Sequence, residues 1–367
     1  MRLVLLAAAL AAVAATPAAG GSGGFASALP PRLPASTEQT FYVAPTGSDD
    51  NPGSRARPWR TVQHAIDRLR AGQRVLVAAG TYTEAARLAR SGTASAPITI
   101  AAQPGQRPVL QPPAASGGNT YALEITGAYW RVRGFVLQGA RGTSSADVYV
   151  EDSANHIELS GNEIRGAQDQ GVFADPGTSD VQIIGNRIHD NGLGHVPGQH
   201  QSHGLYLEGA RDLVANNVIY NQPYGFGIQI YPRNRDSIVV GNTVVRNGLS
   251  GIVLGGDEGV SGIVVRNNIF AYNNQWGIAH DSANPHSSIA DHNLTFGNRW
   301  GAIEDGFGGT DFSGGNLNGD PRFAGRLDFR LRPGSRALGR ALRAWSLPYD
   351  VRGHRRPTSP AAGAFDR

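Results

Sequence analysis

Four histidines occur within fifteen residues of this chain, at His189, His195, His200 and His203, just before a Gly-Leu-Tyr-Leu-Glu segment that ends at Glu208. Imidazole, phenol and carboxylate groups in one short stretch can transfer protons near neutral pH. The four histidines could instead bind zinc, although their spacing matches no standard zinc finger. Which chemistry applies depends on the elements that position these side chains.

Those elements form a repeat between residues 157 and 303. One recurrent phrase places asparagines at positions 162, 186, 217, 242, 268 and 293, so that successive gaps are 24, 31, 25, 26 and 25 residues. Short apolar runs such as IQI and IVV lie between Asn, Gly and Asp turn residues. About 25 residues accommodate three short strands and three turns, which is one coil of a β-solenoid. The asparagines then predict a hydrogen-bonded ladder inside one turn.

The coils can be aligned on a second phrase, a glycine followed by an apolar residue. If the glycine faces outward, the next residue faces the core and positions two and four face outward again. Position two is occupied by Tyr149, Phe173, Tyr206, Gln229, Val253 and Ala279. Position four is occupied by Glu151, Asp175, Glu208, Tyr231, Gly255 and Asp281. The register therefore predicts an aromatic stripe beside an acidic stripe. The one long gap places a loop, residues 195–202, beside both.

Several parts of the chain differ in composition. Residues 1–19, with one arginine followed by an apolar run, predict a cleaved signal peptide, and residues 20–38 predict a flexible linker. A solenoid is expected over 39–319, with an amphipathic capping helix that uses Val62, Ala65, Ile66 and Leu69. Residues 320–367 are expected to form an irregular C-terminal cover. The mature protein should be exported and monomeric.

Cysteine and lysine are both absent, so the net charge of +4 is carried by arginine. No disulfide framework is available. The arginines are spread along the chain, which disfavours a nucleic-acid partner. No segment after the signal peptide is expected to span a membrane. An arginine-based surface is compatible with acidic substrates, because a guanidinium binds a carboxylate through two hydrogen bonds.

The opening segment FYVAPTGSDDNPGSRARPWRTVQHAIDRLRAGQRVLVAAGTYTE resembles the cap and first coil of secreted right-handed parallel β-helix proteins of the pectate-lyase-like superfamily, including polysaccharide lyase family nine. DPRF, DFRLRPGS, DVRG and GAF resemble their closing segment. The resemblance implies an all-β, right-handed parallel β-helix. Enzymes of family nine use a lysine base with calcium, so a chain without lysine must depart from that pattern.

The favoured function is β-elimination, or a related C5-proton abstraction, on a polysaccharide that contains uronic acid. His203 is the predicted base and Tyr206 the predicted proton donor, while Arg233 or Arg235 would neutralise the substrate carboxylate. Further substrate-binding residues are predicted at Tyr149, Phe173, His200, Gln229 and Tyr231.

Three alternatives remain open from the residues alone. A glycoside hydrolase could use two of Asp169, Asp175 and Glu208, because neighbouring coils set carboxylates about 5 Å apart. Glu151, Asp175 and Glu208 could bind Ca²⁺ through their oxygen atoms. Aromatic stripes on solenoids can also bind sugars without cleaving them, so a non-catalytic carbohydrate-binding envelope protein is the third alternative.

Overall fold

The computed structural model describes residues 29, 32, 34, 39–114, 117–194, 202–256, 258–281, 288–306, 308 and 310–366. Three parallel sheets run the length of the molecule, and each coil contributes one strand to each sheet. Sheet A has eleven strands: β1 Thr40–Val43, β2 Arg74–Val77, β5 Ile98–Ala102, β8 Trp130–Arg133, β11 Ile157–Ser160, β14 Gln182–Ile184, β17 Leu213–Ala215, β20 Ile238–Val240, β23 Val264–Arg266, β26 Ser288–Asp291 and β29 Thr310–Asp311.

Sheet B has ten strands: β3 Gly80–Thr83, β6 Pro108–Gln111, β9 Val136–Gln138, β12 Glu163–Arg165, β15 Arg187–His189, β18 Val218–Tyr220, β21 Thr243–Val245, β24 Ile269–Ala271, β27 Leu294–Phe296 and β30 Leu317–Asn318. Sheet C has nine: β4 Ala86–Leu88, β7 Tyr121–Ile125, β10 Ala146–Val150, β13 Gln170–Ala174, β16 Leu205–Leu207, β19 Ile228–Ile230, β22 Ile252–Gly255, β25 Trp276–Asp281 and β28 Gly301–Asp305. The predicted parallel β-solenoid is confirmed.

The predicted register is confirmed in sheet C. Phe173 pairs with Tyr206, and Tyr206 pairs with Gln229 on the next coil. The residues between them, such as Leu205 and Ile228, face the interior and are fully buried. The outward side chains named above therefore share one surface.

The glycine of the recurrent phrase differs from the prediction, because it does not face outward. A Cβ built on Gly204 would lie 2.6 Å from the carbonyl oxygen of Gly227 and 2.9 Å from the Ile219 side chain. Atoms this close cannot coexist, so the corner between sheets B and C accepts only glycine. The recurrent glycine is thus explained by the close approach of successive coils.

The predicted asparagine ladder is confirmed. The Nδ2 of Asn217 donates to the Oδ1 of Asn242 at 2.9 Å, and Asn242 donates in the same way to Asn268 at 2.9 Å. A second ladder, which the sequence analysis missed, includes Asn247 and Asn273. The two ladders provide hydrogen-bond partners for backbone N–H and C=O groups at two buried corners, and they hold successive coils in register.

The predicted capping helix is confirmed as α1, Val62–Arg68. The Thr61 side chain caps it by accepting from the backbone N–H of His64, and the Glu84 carboxylate accepts from Val62 and Gln63. Val62, like Ala65 and Ile66, is buried, so the helix closes the N-terminal end of the core.

The C-terminal segment covers the flanks of the solenoid. Trp345, in the 3₁₀ turn Arg343–Trp345, packs on sheet A with Leu213 and Ile238, whereas Phe329 packs on sheet B with Tyr220. Within the predicted linker, Leu29 joins the same cluster as Trp345. Elsewhere in the linker, Arg32 bonds to Glu158, and Arg131 donates to the carbonyl oxygen of Pro34 at 2.5 Å.

These packed segments lie on sheets A and B, which leaves the outward face of sheet C as the candidate binding face. Among the described residues, no helix combines the length and apolar character that crossing a membrane requires.

Candidate functional site

A continuous aromatic stripe follows the outward face of sheet C. Ring centroids of Tyr149 and Phe173 lie 5.6 Å apart, and those of Phe173 and Tyr206 lie 5.1 Å apart, in stacked arrangements. Tyr121 extends the stripe by one coil, with its ring 4.6 Å from that of Tyr149. Tyr121 was not predicted as part of the stripe, because the repeat is irregular before residue 157. Stacked rings spaced by about one coil form a flat aromatic surface.

A cleft of about 460 Å³ opens where the aromatic stripe ends. Its lining consists of Tyr206, Phe226, Gln229, Tyr231, Leu249, Val253, Gln275 and Asp281. Tyr206, Gln229 and Tyr231 were predicted as site residues and do line this cleft. Val253 and Asp281 were placed on the outward face by the register but were not predicted as site residues, and Phe226 was not predicted at all.

Tyr206 and Glu208 form an acid–base pair beside the cleft. Burial and a hydrogen bond with the Glu208 carboxylate raise the pKa of Tyr206, so its phenol keeps its proton. Burial also raises the pKa of Glu208, against the opposing effect of the Tyr206 hydrogen bond. A protonated phenol next to a carboxylate of raised basicity can donate one proton and accept another.

A similar pair lies one coil away, where the Tyr149 hydroxyl donates to Asp175 at 2.5 Å. Burial raises the pKa of Asp175. The backbone N–H of Glu208 bonds to the carbonyl oxygen of Ala174 at 3.0 Å, which places Asp175 and Glu208 on adjacent coils. Both predicted acidic positions therefore have a tyrosine partner.

The structure corrects the assignment of His203 as the base. His203 is fully buried, and its Nδ1 accepts a hydrogen bond from the backbone N–H of Phe226 at 3.0 Å. A neutral imidazole with Nδ1 as acceptor carries its proton on Nε2, so neither nitrogen can accept a substrate proton. Its ring stacks on Phe226 at 5.2 Å and contacts Tyr206 edge-on at 5.7 Å. His203 therefore packs against Tyr206 from the interior and is not exposed to a substrate.

The two predicted arginines lie in different places. Arg233 interacts electrostatically with Glu208 and pairs with Glu258 at 3.1 Å, where both side chains are about half exposed. Arg235 is exposed in the turn that leads to sheet A, where its backbone pairs with Ala210 and Ser261. Neither arginine lines the cleft, but Arg233 lies close enough to Glu208 to interact with it electrostatically, so Arg233 is the better candidate for binding a substrate carboxylate.

The predicted calcium ligands have other partners in this structure, and calcium binding stays a prediction. In the part of the chain that the structure describes, no three His, Asp or Glu side chains converge as a metal-binding group. Glu151 instead lies 3.8 Å from Arg87, and Asp175 and Glu208 interact with tyrosines.

The predicted zinc histidines are only partly described. His189 lies in sheet B, where it contacts Glu163 at 3.3 Å and stacks on Tyr220 at 4.7 Å. His195 and His200 lie outside the described residues, and so does the predicted role of His200 in substrate binding.

Asp169 gives the stability of the fold a pH dependence. Burial raises the pKa of its carboxyl to about 7 from 3.8, with Ser202 donating to it at 3.2 Å. Because the folded state binds this proton more tightly, the stability that Asp169 contributes is lost as the pH rises from about 4 through about 7. Asp169→Asn should flatten that dependence. Denaturant midpoints at pH 5 and pH 8 measure it, with exposed Asp311→Asn as a control that keeps the wild-type slope.

Comparison with known proteins agrees with this architecture. A family model described as "Right handed beta helix region" matches residues 121–314, more than half of the chain, and a second model, "Pel9A-like, right handed beta helix region", matches residues 41–198. The chain belongs to the right-handed β-helix family.

Individual relatives align over limited regions. "Uncharacterized protein YwoF" of Bacillus subtilis (strain 168) is 28% identical over 226 residues, which are 57% of this chain and 46% of the relative. "Pectate lyase PEL9" of Emericella nidulans is 36% identical over 80 residues, or 21% of this chain and 20% of the relative. The chain thus spans less than half of the length of these curated relatives.

Two solved structures show a similar fold. The crystal structure of pectate lyase Pel9A superposes with a TM-score of 0.64 at 16% identity, covering 91% of this chain and 97% of that one. The periplasmic alginate epimerase AlgG superposes with a TM-score of 0.51 at 13% identity, covering 68% and 60%. At these identities the likeness concerns the fold alone, which is a pectate-lyase-like β-helix.

Proposed function

We propose that this protein cleaves an acidic polysaccharide by β-elimination in the cleft of sheet C. The observation that carries the proposal is the Tyr206–Glu208 pair, which places a proton donor and a proton acceptor beside an aromatic platform. The named activities of the relatives, pectate lyases among them, support the choice of substrate class. The signal-like sequence of residues 1–19 supports an extracellular location.

The proposed reaction balances within this pair. Glu208 removes the proton at C5 of the uronate, the C4–O4 bond breaks, and a C4=C5 double bond forms. Tyr206 gives its proton to the departing O4, and the protonated Glu208 then returns a proton to the phenolate across their hydrogen bond. Arg233 would bind the uronate carboxylate and stabilise the charge that develops on it.

The direction of the two side chains restricts the substrate. Tyr206 lies in β16 and Glu208 directly follows that strand, and the hydrogen bond between the two side chains places both groups on the outer face of sheet C. Both proton transfers then take place on one face of the sugar ring, which is a syn elimination. Mannuronate and glucuronate carry C5–H and C4–O on the same ring face, whereas galacturonate carries them on opposite faces. We therefore expect polymannuronate or a glucuronate polymer to be cleaved faster than polygalacturonate.

The test is a panel of purified alginate, glucuronate-containing and galacturonate polymers. Unsaturated uronide formed by a lyase absorbs in the ultraviolet, and the expected result is absorbance that Glu208→Gln abolishes. A parallel series with chelator checks the calcium prediction. Absence of new absorbance with every polymer, together with an unchanged C5 configuration by NMR, would contradict C5-proton abstraction at this site.

Glycoside hydrolysis is the second candidate, and one observation favours it. Asp175 and Glu208 lie on adjacent coils, where groups are about 5 Å apart, a separation found in retaining glycosidases. Both carboxyls have raised pKa values because of burial. Release of reducing ends without unsaturated product, lost in both Asp175→Asn and Glu208→Gln, would support this function.

Variants of His203 should show whether its side chain positions Tyr206 or itself accepts the substrate proton. In His203→Gln the amide oxygen can still accept from the backbone N–H of Phe226, so we expect most of kcat and an unchanged pH profile. His203→Ala removes this acceptor and the ring that contacts Tyr206, and should lower kcat by about tenfold. Loss of the acidic limb of the kcat profile in His203→Gln would restore His203 as the base, because a base is inactivated when it is protonated at low pH.

A further inference from the structure

A second concavity, of about 290 Å³, lies at the corner between sheets B and C. The turns that supply Leu249 and Gln275 to the cleft supply Arg246 and Tyr272 to this concavity. Its lining is Arg246, Tyr272, Asp320, Arg322, Phe323, Gly325 and Arg332. Three guanidinium groups therefore face a single carboxylate. We call this concavity the arginine pocket.

The arginines of the pocket are not neutralised by ion pairs. Among the described residues, no carboxylate forms an ion pair with Arg246, Arg322 or Arg332. Arg246 donates to the carbonyl oxygen of Arg326 at 2.5 Å, and Arg332 donates to that of Ala324. A carbonyl accepts a hydrogen bond but does not cancel a positive charge, so the pocket keeps an excess of cations.

Arg246 is held in a partly apolar setting. Its guanidinium lies 5.5 Å from the ring centroid of Tyr272 and 6.0 Å from that of Phe329, and burial lowers its pKa. A partly desolvated guanidinium binds an anion more strongly than one in bulk water. Tyr272 is 37% exposed, so the pocket is open to solvent.

The C-terminal segment contributes further positive charge. Residues 320–366 contain ten arginines and four aspartates, an excess larger than the net charge of +4 of the whole chain. The arginines seemed scattered in the sequence, but folding places this segment against sheets A and B. The segment therefore carries six more arginines than aspartates (ten minus four) along sheets A and B, and Arg322 and Arg332 of the arginine pocket belong to it.

We propose that the arginine pocket binds an oxyanion, and that its natural occupant is a carboxylate of the acidic polysaccharide that enters the cleft. The second half of this proposal rests on the proposed function. Arg246 and Leu249 are three residues apart, so their Cα atoms lie within about 11 Å of each other. A chain of a few sugars can therefore occupy the cleft and reach over the turn into the pocket.

The test uses two double variants of equal charge. Arg322→Ala/Arg332→Ala removes two exposed guanidiniums from the pocket, and Arg336→Ala/Arg340→Ala removes two exposed guanidiniums from the same segment outside it. The probes are sodium sulfate, compared with sodium chloride at equal ionic strength, and oligomannuronates of three and six residues. Titration calorimetry measures binding of each probe to wild type and variants.

We expect sulfate and hexamer binding to weaken about tenfold in the pocket variant alone, with trimer binding unchanged. Equal sulfate binding by both variants would overturn the pocket as an oxyanion site. Loss of sulfate binding with unchanged hexamer binding would keep the site and assign it to a free anion, which overturns its link to the polysaccharide. If neither oligomer binds to wild type but sulfate does, the link to a mannuronate polysaccharide is overturned while the oxyanion site stands, and the polymer panel above decides the proposed function separately.

Discussion

Tyr206→Phe is expected to lower kcat by about 10³-fold, because the leaving oxygen loses its proton donor. The phenyl ring still packs between Phe173 and His203, so the platform and the fold remain. KM should therefore change little, since the lost interaction acts mainly in the transition state. Steady-state kinetics on the preferred polymer measures both parameters.

The matched control is Tyr149→Phe. This variant loses an equivalent hydroxyl, which bonds to Asp175 one coil away, at a position that does not line the cleft. It should keep most of the wild-type kcat. Equal losses of kcat in the two variants would mean that both tyrosine hydroxyls act through the acidic residues, and that Tyr206 is not a specific proton donor. A fully active Tyr206→Phe would show that the Tyr206 hydroxyl takes no part in the reaction.

Asn242→Ala is expected to destabilise the protein by about 4 kcal/mol, the largest effect on stability that we predict. The fully buried Asn242 side chain donates to the carbonyl oxygen of Val214 at 2.8 Å and to Asn268 at 2.9 Å. Its oxygen accepts from both the backbone and the side chain of Asn217. Each buried group left without a partner costs about 1–3 kcal/mol.

The rung at the C-terminal end of this ladder provides the control. Asn316 has similar bonds to Asn293 and to the carbonyl oxygen of Ala290, but it is partly exposed, so water can replace its side chain. Asn316→Ala should cost about 1 kcal/mol. Denaturant midpoints of the two variants and wild type measure this difference. Equal shifts would show that the stability contributed by a ladder asparagine does not depend on its burial.

The fold could be predicted because its determinants are local and periodic. Asn217 and its equivalents recur every coil, and period-two alternation specifies which side chains face outward once the coil is known. The same register correctly placed Phe173, Tyr206 and Gln229 on one surface. The outward orientation predicted for the corner glycines was wrong, because the alternation of side chains does not hold where the chain turns sharply between two strands.

The site could be predicted only in part because its chemistry depends on contacts across coils. The sequence places His203 next to Tyr206, but only the structure reveals that the backbone of Phe226 occupies its Nδ1. Similarly, the sequence gives no reason to prefer Arg233 or Arg235 as the carboxylate-binding residue. The structure separates them, because the side chain of Arg233 pairs with Glu258 whereas the backbone of Arg235 pairs with neighbouring coils in the turn toward sheet A. The arginine pocket joins Arg246 to Arg322 across 76 positions, a distance in sequence that no repeat pattern spans.

The most direct test of the account is a crystal structure of Glu208→Gln with an oligomannuronate bound. If Glu208 is the base and Tyr206 the proton donor, the oligosaccharide should lie on the outward face of sheet C, with C5 of one uronate within hydrogen-bond range of residue 208 and O4 close to the Tyr206 hydroxyl. The carboxylate of that uronate should face Arg233. An oligosaccharide bound in the cleft with its C5 directed away from residue 208, or bound on another face of the solenoid, would contradict the proposed reaction.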